Sequence, residues 1–234
     1  MSGNRVGRPS PRRDRALIEL APGLIHVPGY LDAEAQAALA ADLAEILREA
    51  PAFTPTMPRT GKPFSVRMTN CGPLGWVSDR AGYRYQASHP ETGRPWPAMP
   101  AKVLRAWAAL AGCPAEPEAC LVNLYAPGTR MGLHQDRDEA EFSAPVLSLS
   151  LGATALFRYG GTARTDPTRS VRLVSGDAMV IGGPSRLIFH GVDRILARSA
   201  DLLSPAPGPV LPASVPAGGR LNLTLRRVSA IRRA

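Results

Sequence analysis

The sequence lacks the features of a membrane, secreted or disulfide-rich protein. No run of apolar residues approaches the roughly eighteen that a transmembrane helix needs. The three cysteines, Cys71, Cys113 and Cys120, form no CxxC pair, which excludes a disulfide framework and a cysteine metal site. The segment from Leu17 to Val27 is interrupted by charge, proline and glycine, unlike a signal-peptide core. We therefore expect a cytoplasmic protein.

Lysine is almost absent, yet the chain is strongly basic. Of its 28 basic residues only Lys62 and Lys102 are lysines, and the formal net charge is +9 with a pI near 10.3. A GC-rich genome explains the choice of arginine over lysine, but it does not explain why 28 basic residues outnumber 19 acidic ones. The excess of positive charge favours a nucleic-acid partner.

Hydrophobic periodicity predicts two helices followed by a β-rich region. Asp32–Ala50 has an apolar stripe and a plausible N-cap at Asp32, and a second helix begins at Pro100. The predicted strands are Cys120–Tyr125, Pro145–Leu151, Ala155–Tyr159, Ser170–Val174, Ala178–Ile181, Leu187–Val192 and Arg220–Arg226. With 234 residues, this pattern predicts one α+β, mainly β domain in which helices pack on one face of a β-sandwich or jelly roll.

One short motif suggests a metal site. In His134-Gln135-Asp136 the imidazole and the carboxylate are two residues apart, so an extended backbone points both to the same face. His190, in a later predicted strand, can supply a third ligand. Two histidines and one carboxylate form the facial triad of non-haem iron(II) oxygenases. Taken singly, each histidine is more often a surface or core residue, and HxD alone is a weak pattern.

The last predicted strand alternates throughout. Its leucines form one face, and Arg220, Asn222, Thr224 and Arg226 form the other. Such a pattern commonly marks an edge strand with a solvated polar face. If this polar face points into the interior of a barrel, however, its guanidinium groups are suited to bind the carboxylates of 2-oxoglutarate. Asn123 and Tyr125, also two residues apart, can hydrogen-bond the same molecule.

In combination, these segments resemble the AlkB family of iron(II)- and 2-oxoglutarate-dependent DNA dealkylating dioxygenases. The residues that carry the resemblance are Asn123 to Gly128, His134 to Glu139, His190 and Arg220 to Arg226, together with Met68 to Trp76 and Arg94 to Pro100. The likeness covers roughly residues 17–228. It implies a single domain there, with a disordered basic leader at 1–16, a basic tail at 229–234 and a Pro-rich loop at 199–219.

The resemblance implies a double-stranded β-helix (jelly-roll) core under a nucleotide-recognition lid at about 54–85. It implies that His134, Asp136 and His190 bind Fe(II) and carry the catalysis. Residues that bind the co-substrate 2-oxoglutarate would be Asn123, Tyr125, Arg220, Asn222 and Arg226. The expected reaction consumes dioxygen and removes methyl groups from 1-methyladenine and 3-methylcytosine in DNA, with RNA left open. It releases formaldehyde, succinate and carbon dioxide.

The resemblance also implies five contacts with the damaged base. Trp76 matches the residue that stacks on the base against His134, Met68 and Tyr83 match lid and substrate-contact positions, and Asp138 and Arg164 match residues that line the base pocket. The alternatives are a half-buried packing Trp76, a core Met68, and surface positions for Tyr83 and Arg164.

The chain departs from the family at two places. Ile181 stands where a bacterial relative has tryptophan, which changes one wall of the co-substrate pocket, and the stretch 199–219 is longer than expected. Two other functions stay open: a hydroxylase of a small molecule or protein side chain, and a DNA-binding module without a working iron site. We expect a monomer that does not bind membranes.

Overall fold

The computed structural model describes residues 16–196 and 209–231. Residues 1–15 of the predicted leader, residues 199–208 of the Pro-rich stretch and the last three residues of the predicted tail lie outside the described residues. Two α-helices and thirteen strands are present in the described part. They are β1 (Ile18–Ala21), β2 (Leu24–Val27), α1 (Ala33–Glu49), β3 (Arg67–Cys71), β4 (Gly75–Asp79), β5 (Gly82–Gln86), α2 (Ala101–Leu110), β6 (Ala119–Tyr125), β7 (Met131–His134), β8 (Val146–Gly152), β9 (Ala155–Tyr159), β10 (Arg169–Leu173), β11 (Ala178–Ile181), β12 (His190–Ile195) and β13 (Arg220–Arg226).

The strands form two large sheets and one small one. The major sheet has seven strands in the order β1-β2-β11-β8-β13-β6-β3, and the minor sheet has four in the order β10-β9-β12-β7. The β4–β5 hairpin is a separate two-stranded sheet. This mostly antiparallel two-sheet arrangement, with strands adjacent in space but distant in sequence, confirms the predicted jelly-roll class.

Both predicted helices are present and cover one face of the major sheet. Asp32 caps α1, because its carboxylate accepts the Ala35 backbone N–H at 2.8 Å. The buried stripes of α1 and α2 pack in one cluster with the sheet leucines, including Leu149, Leu221 and Leu223. We call the side of the major sheet that the two helices cover the helix face. No helix among the described residues is long and apolar enough to cross a bilayer.

The other face of the major sheet is the cavity face. Antiparallel register brings residues of three central strands side by side on it: Asn222 pairs with Asn123 of β6 and with Ser150 of β8. The cavity-face residues of these strands are Leu121, Asn123, Tyr125, Ser148, Ser150, Arg220, Asn222, Thr224 and Arg226. Polar side chains are therefore concentrated between the two sheets, where a jelly roll encloses its interior.

Some predicted element boundaries differ from the structure. The predicted strand Leu187–Val192 begins only at His190, because the preceding chain forms a 3-10 helix at Gly183–Ser185 and a turn at Arg186 and Leu187. The sequence pattern does not predict six strands, each of only four or five residues: β1, β2, β3, β4, β5 and β7. The strand β3 lies within the predicted lid range but pairs with β6 at the edge of the major sheet. The rest of the predicted lid range, which lies outside the major sheet, comprises the loop before β3 and the β4–β5 hairpin.

Candidate active site

Three potential metal ligands meet at one end of the minor sheet. His134 ends β7 and His190 begins β12, and the two residues are direct partners in the register. Asp136 follows in the loop after β7. The Nε2 atoms of the two histidines each lie 3.8 Å from an Asp136 carboxylate oxygen, and the three ligand atoms are within 4.8 Å of one another. The structure thus brings together the residues that the sequence predicts as ligands.

Backbone contacts orient both imidazole rings. His134 Nδ1 lies 2.9 Å from the Gly132 carbonyl, and His190 Nδ1 lies 3.2 Å from the Ile188 carbonyl. Because a carbonyl oxygen can only accept, each Nδ1 carries the proton and each Nε2 presents its lone pair to the cluster. This is the tautomer that a histidine needs to bind a metal through Nε2.

The electrostatics of the cluster keep His190 and Asp136 in their metal-binding protonation states. Burial lowers the pKa of His190 to about 4, with the nearby His134 acting in the same direction, so this imidazole is neutral at physiological pH. Burial alone would raise the pKa of Asp136, but the charge of Arg226 and its hydrogen bond to the carboxylate hold that pKa well below its usual range. A neutral imidazole at His190 and an ionised carboxylate at Asp136 are therefore available together.

Arg220 is a buried cation without an anionic partner in the part of the chain that the structure describes. Its side chain donates to the carbonyls of Ala153 and Leu173, both at 3.1 Å, and to Ser150 Oγ at 2.6 Å. It forms no ion pair with any residue in the described ranges, and its Nε has no hydrogen-bond partner. Burial lowers the pKa of Arg220 to about 10. A guanidinium held in this way on the cavity face has the chemistry to bind a carboxylate.

Arg226 differs from Arg220 because it has carboxylate partners within the protein. Its Nη2 donates to Asp136 Oδ1 at 2.8 Å, and its Nε lies 3.3 Å from Glu139 Oε1 without hydrogen-bond geometry. Glu139 is in turn 3.1 Å from Arg186 Nη2, and Arg186 also donates to the Asp136 carbonyl at 2.7 Å. Arg226 is thus part of a buried ionic network around the predicted metal ligand Asp136.

The remaining predicted co-substrate residues lie between the two arginines. Asn123 and Tyr125 are buried on β6, and Asn123 Oδ1 has no hydrogen-bond partner. The Asn222 amide donates to Ser148 Oγ at 2.7 Å and accepts from Thr224 Oγ1 at 3.0 Å. Asn222 is therefore held by its neighbours, whereas Asn123 retains a free acceptor.

Aromatic side chains of the hairpin form one side of the cavity mouth. Trp76 of β4 is half-buried and stacks on Tyr83 of β5, with ring centroids 5.6 Å apart and an interplanar angle of 19°. Phe64 contacts Trp76 edge-on at 6.2 Å. The indole N–H of Trp76 donates to Asp138 Oδ2 at 2.8 Å. The geometry places an aromatic platform beside the metal-ligand loop.

The two other predicted base contacts have different environments. Met68 is fully buried in β3. Arg164 is exposed, donates to the Leu133 carbonyl at 3.0 Å and lies 5.0 Å above the Phe189 ring. Ile181, the position that departs from the family, is buried and forms part of the same cavity wall.

One cavity of about 920 Å³ is lined by all the predicted site residues. They are Met68, Trp76, Tyr83, Asn123, Tyr125, His134, Asp136, Asp138, Arg164, His190, Arg220, Asn222 and Arg226. The ligand cluster, the unpaired guanidinium of Arg220 and the aromatic platform therefore open onto a single space. This volume is within the range of small-molecule and cofactor sites.

The donor set fits iron(II) and a dicarboxylate. Asp136 Oδ2 is buried beside His190 and has no hydrogen-bond partner, which leaves it free to bind a cation. Two imidazoles and one carboxylate are the ligands that non-haem iron(II) takes with open positions. The unpaired cation of Arg220, on the same cavity wall, fits the free carboxylate of 2-oxoglutarate.

Comparison with known proteins agrees with this geometry. The model of the 2OG-Fe(II) oxygenase superfamily matches residues 23–226. The chain is 53% identical over 210 residues to the "Alpha-ketoglutarate-dependent dioxygenase AlkB homolog" of Caulobacter vibrioides, covering 90% of each chain. It is 45% identical over 114 residues to the "DNA N(6)-methyladenine demethylase ALKBH1D" of Arabidopsis thaliana, covering 47% of this chain and 24% of that protein. The solved structure of OsALKBH1 superposes with a TM-score of 0.70 at 32% identity, covering 91% of this chain and all of the other.

The protein is an iron(II)- and 2-oxoglutarate-dependent dioxygenase with a jelly-roll core. Within that superfamily, the chain belongs to the AlkB family. Its cofactor is Fe(II), and its co-substrates are 2-oxoglutarate and dioxygen. The predicted family, fold and enzyme class are thereby confirmed.

Sequence reasoning missed three residues of the site: Tyr85, Glu139 and Arg186. Glu139 is buried among these two side chains and Arg226, and it accepts the Tyr85 hydroxyl at 2.5 Å. Glu139 follows the His134-Gln135-Asp136 motif closely, so its position was a weak signal. Tyr85 and Arg186 are each about fifty residues away from Glu139 along the chain, and no local pattern indicates that they meet it.

Proposed function

We propose that this dioxygenase removes methyl groups from ring nitrogens of nucleic-acid bases, with 1-methyladenine and 3-methylcytosine in DNA as the leading substrates and RNA as a second polymer. The observation that supports it most is the shared cavity, in which a metal-ligand cluster lies opposite an aromatic platform suited to a flat base. The DNA demethylase named above, which is similar to this chain, supports the same class of substrate. The "tRNA demethylase abh1" of Schizosaccharomyces pombe, 37% identical over 82 residues and 35% of this chain, supports it as well.

The metal ligands in this proposal are His134, Asp136 and His190. When bound, iron(II) and 2-oxoglutarate supply the oxidation of the alkyl carbon by dioxygen, which yields succinate and carbon dioxide and, after the hydroxylated group leaves the nitrogen, formaldehyde. The contribution of the protein is to bind, orient and enclose the reactants.

The carboxylates of 2-oxoglutarate are bound by the two arginines of β13. We assign the distal carboxylate to Arg220, because this guanidinium has no other anion. We assign Arg226 to the end nearest the metal, since it already contacts Asp136. Asn123 and Tyr125 donate or accept hydrogen bonds between these ends, and Asn222 holds the wall in place through Ser148.

The base is held at the cavity mouth. Trp76 offers the face of its indole for stacking, and Tyr83 extends this aromatic surface to the solvent. Met68 lines the same cavity with a buried apolar side chain, and Arg164 lines it with an exposed cationic one. Both leading substrates are cations at neutral pH, and the exposed carboxylate of Asp138 beside Trp76 complements that charge.

The cellular setting follows from the composition. The positive net charge supports binding of a polyanion, and the three cysteines lack the pattern of an oxidising compartment. We propose that the protein acts in the cytoplasm as a monomer.

The test is to incubate the protein with Fe(II), 2-oxoglutarate and oligonucleotides that each carry one lesion. The panel contains 1-methyladenine, 3-methylcytosine and N6-methyladenine in DNA and RNA, and formaldehyde and base mass are measured. We expect stoichiometric formaldehyde and unmodified base, and none from His134→Ala. Steady 2-oxoglutarate turnover without demethylation of any oligonucleotide would instead favour a hydroxylase of small molecules or protein side chains.

A further inference from the structure

The β4–β5 hairpin touches the metal-ligand loop through two side chains that are cross-strand neighbours. Trp76 and Tyr85 are direct partners in the hairpin register, so both side chains project from the same face. Trp76 Nε1 donates to Asp138 Oδ2 at 2.8 Å, and the Tyr85 hydroxyl donates to Glu139 Oε1 at 2.5 Å. We call these two hydrogen bonds the latch.

The latch is one of several contacts that hold the hairpin in position, together with the buried side chain of Val77. The hairpin is a separate two-stranded sheet that does not continue either larger sheet, and an isolated two-stranded ribbon is only marginally stable. Farther along β4, Ser78 Oγ donates to the Thr56 carbonyl at 2.6 Å. Asn70 holds the Trp76 backbone through two hydrogen bonds of 3.0 and 3.1 Å. The latch is the connection that leads to the loop carrying Asp136.

Glu139 connects the latch to the metal ligand. Its carboxylate is buried and is shared by Tyr85, Arg186 and Arg226. Arg226 donates directly to Asp136 Oδ1, and Arg186 donates to the Asp136 carbonyl. A continuous chain of contacts therefore runs from Tyr85 through Glu139 and Arg226 to the carboxylate that faces the two histidines.

We propose that Tyr85 and Glu139 are positioning residues that couple the lid hairpin to the metal centre. Binding of a cation to Asp136 Oδ2 fixes this carboxylate, and with it Arg226, Glu139 and the Tyr85 hydroxyl. Occupation of the metal site therefore stabilises the latched hairpin. Because coupling free energies are reciprocal, a bound base that stabilises the latched hairpin also stabilises the ordered conformation of Asp136. That second consequence rests on the proposed function, whereas the coupling itself does not.

The experiment measures hydrogen exchange of residues 75–86 in the full chain, with and without saturating Co(II) under anaerobic conditions. In the wild type we expect Co(II) to slow exchange of the hairpin about tenfold, the size of one hydrogen bond to a charged group. In Tyr85→Phe, which removes only the hydroxyl, the exchange rate should become nearly independent of Co(II). By reciprocity, Co(II) should also bind Tyr85→Phe up to about tenfold more weakly.

Ser78→Ala is the matched control. It removes a hairpin contact that does not lead to Asp136, so exchange should be faster with and without Co(II) by the same factor, and the Co(II) effect should persist. This control distinguishes the loss of coupling between the hairpin and the metal site from a general destabilisation of the hairpin.

Two results would overturn the proposal: no Co(II) protection of the hairpin in the wild type despite measured binding, or equal protection in wild type and Tyr85→Phe. Failure of the wild type to bind Co(II) at all would refute the metal site and the proposed function with it. Absence of demethylation with Co(II) coupling intact would refute only the proposed substrate.

Discussion

The two faces of the major sheet have opposite character although they belong to the same strands. On β13, Leu221, Leu223 and Leu225 are fully buried against the helices. Arg220 and Arg226, which alternate with them, are buried almost as deeply but on the cavity side. Burial of apolar area stabilises the fold, whereas burial of a charge costs free energy unless a partner compensates it. The comparison indicates that the helix face maintains the structure and the cavity face is maintained for chemistry.

The sharpest test of this division is a change in the metal-ligand cluster. His190→Ala should reduce formaldehyde release below detection, because it removes one of three ligands. The metal-free variant should keep the wild-type fold, measured by circular dichroism and thermal unfolding. A folded variant with near-normal turnover would exclude His190 from the metal site.

Arg220→Met should weaken the binding of 2-oxoglutarate much more than it lowers the stability of the fold. We expect the KM for 2-oxoglutarate to rise roughly hundredfold, because a buried charge-assisted pair is lost. The free energy of unfolding should fall by no more than about 1–3 kcal/mol, because removal of a buried cation offsets part of the loss of its hydrogen bonds to Ala153, Leu173 and Ser150. The measurements are steady-state kinetics and urea unfolding. A large loss of stability with an unchanged KM would assign Arg220 to the scaffold.

Leu223→Ala should have the reverse effect. The side chain is buried between β6, β8 and the helices, so its truncation should lower the free energy of unfolding by about 2–5 kcal/mol. The KM for 2-oxoglutarate should stay unchanged at temperatures where the variant is folded. Thr224→Val is the control on the cavity face and should cost about 1 kcal/mol or less. Equal destabilisation by both would contradict the division of the two faces.

Trp76→Ala extends the comparison to the cavity mouth. Loss of stacking should lower turnover of methylated oligonucleotides about ten- to hundredfold. The slow decarboxylation of 2-oxoglutarate without nucleic acid should be nearly unchanged, because that reaction needs only the metal and co-substrate sites. Both rates are measured on one preparation. If they fall together, Trp76 supports the fold rather than the base.

The smallest expected effect is a pH dependence of the metal-free protein. The pKa of His190 is lowered to about 4 in the folded state, from about 6.5 in the unfolded chain. The unfolded state therefore binds more protons between these values, so stability is lost as the pH falls through this window. Between pH 7 and 6 we expect the contribution of His190 to fall by about 1 kcal/mol or less. Urea unfolding at both pH values should show a smaller difference in His190→Ala. An equal difference would show that His190 does not titrate in this way.

Local sequence patterns were sufficient for much of the site. Side chains two residues apart in an extended segment point to the same side, so the convergence of His134 with Asp136 and of Arg220 with Asn222 was predictable. The same rule separated the leucines of β13 from its polar residues. The apolar stripe of α1 and its cap at Asp32 were likewise readable, because both depend on neighbours within a few residues.

Only the tertiary structure determined which distant side chains meet. Arg220 and Arg226 look equivalent in the sequence, yet Arg226 forms an ion pair with Asp136 while Arg220 forms none within the described chain. The placement of β3 in the major sheet depends on pairing with β6, about fifty residues later. Glu139 contacts Tyr85 and Arg186, which are about fifty residues away along the chain and are brought to it by the packing of the domain. Periodicity specifies the direction of a side chain on its own strand, but its partner is specified by the packing of the whole domain.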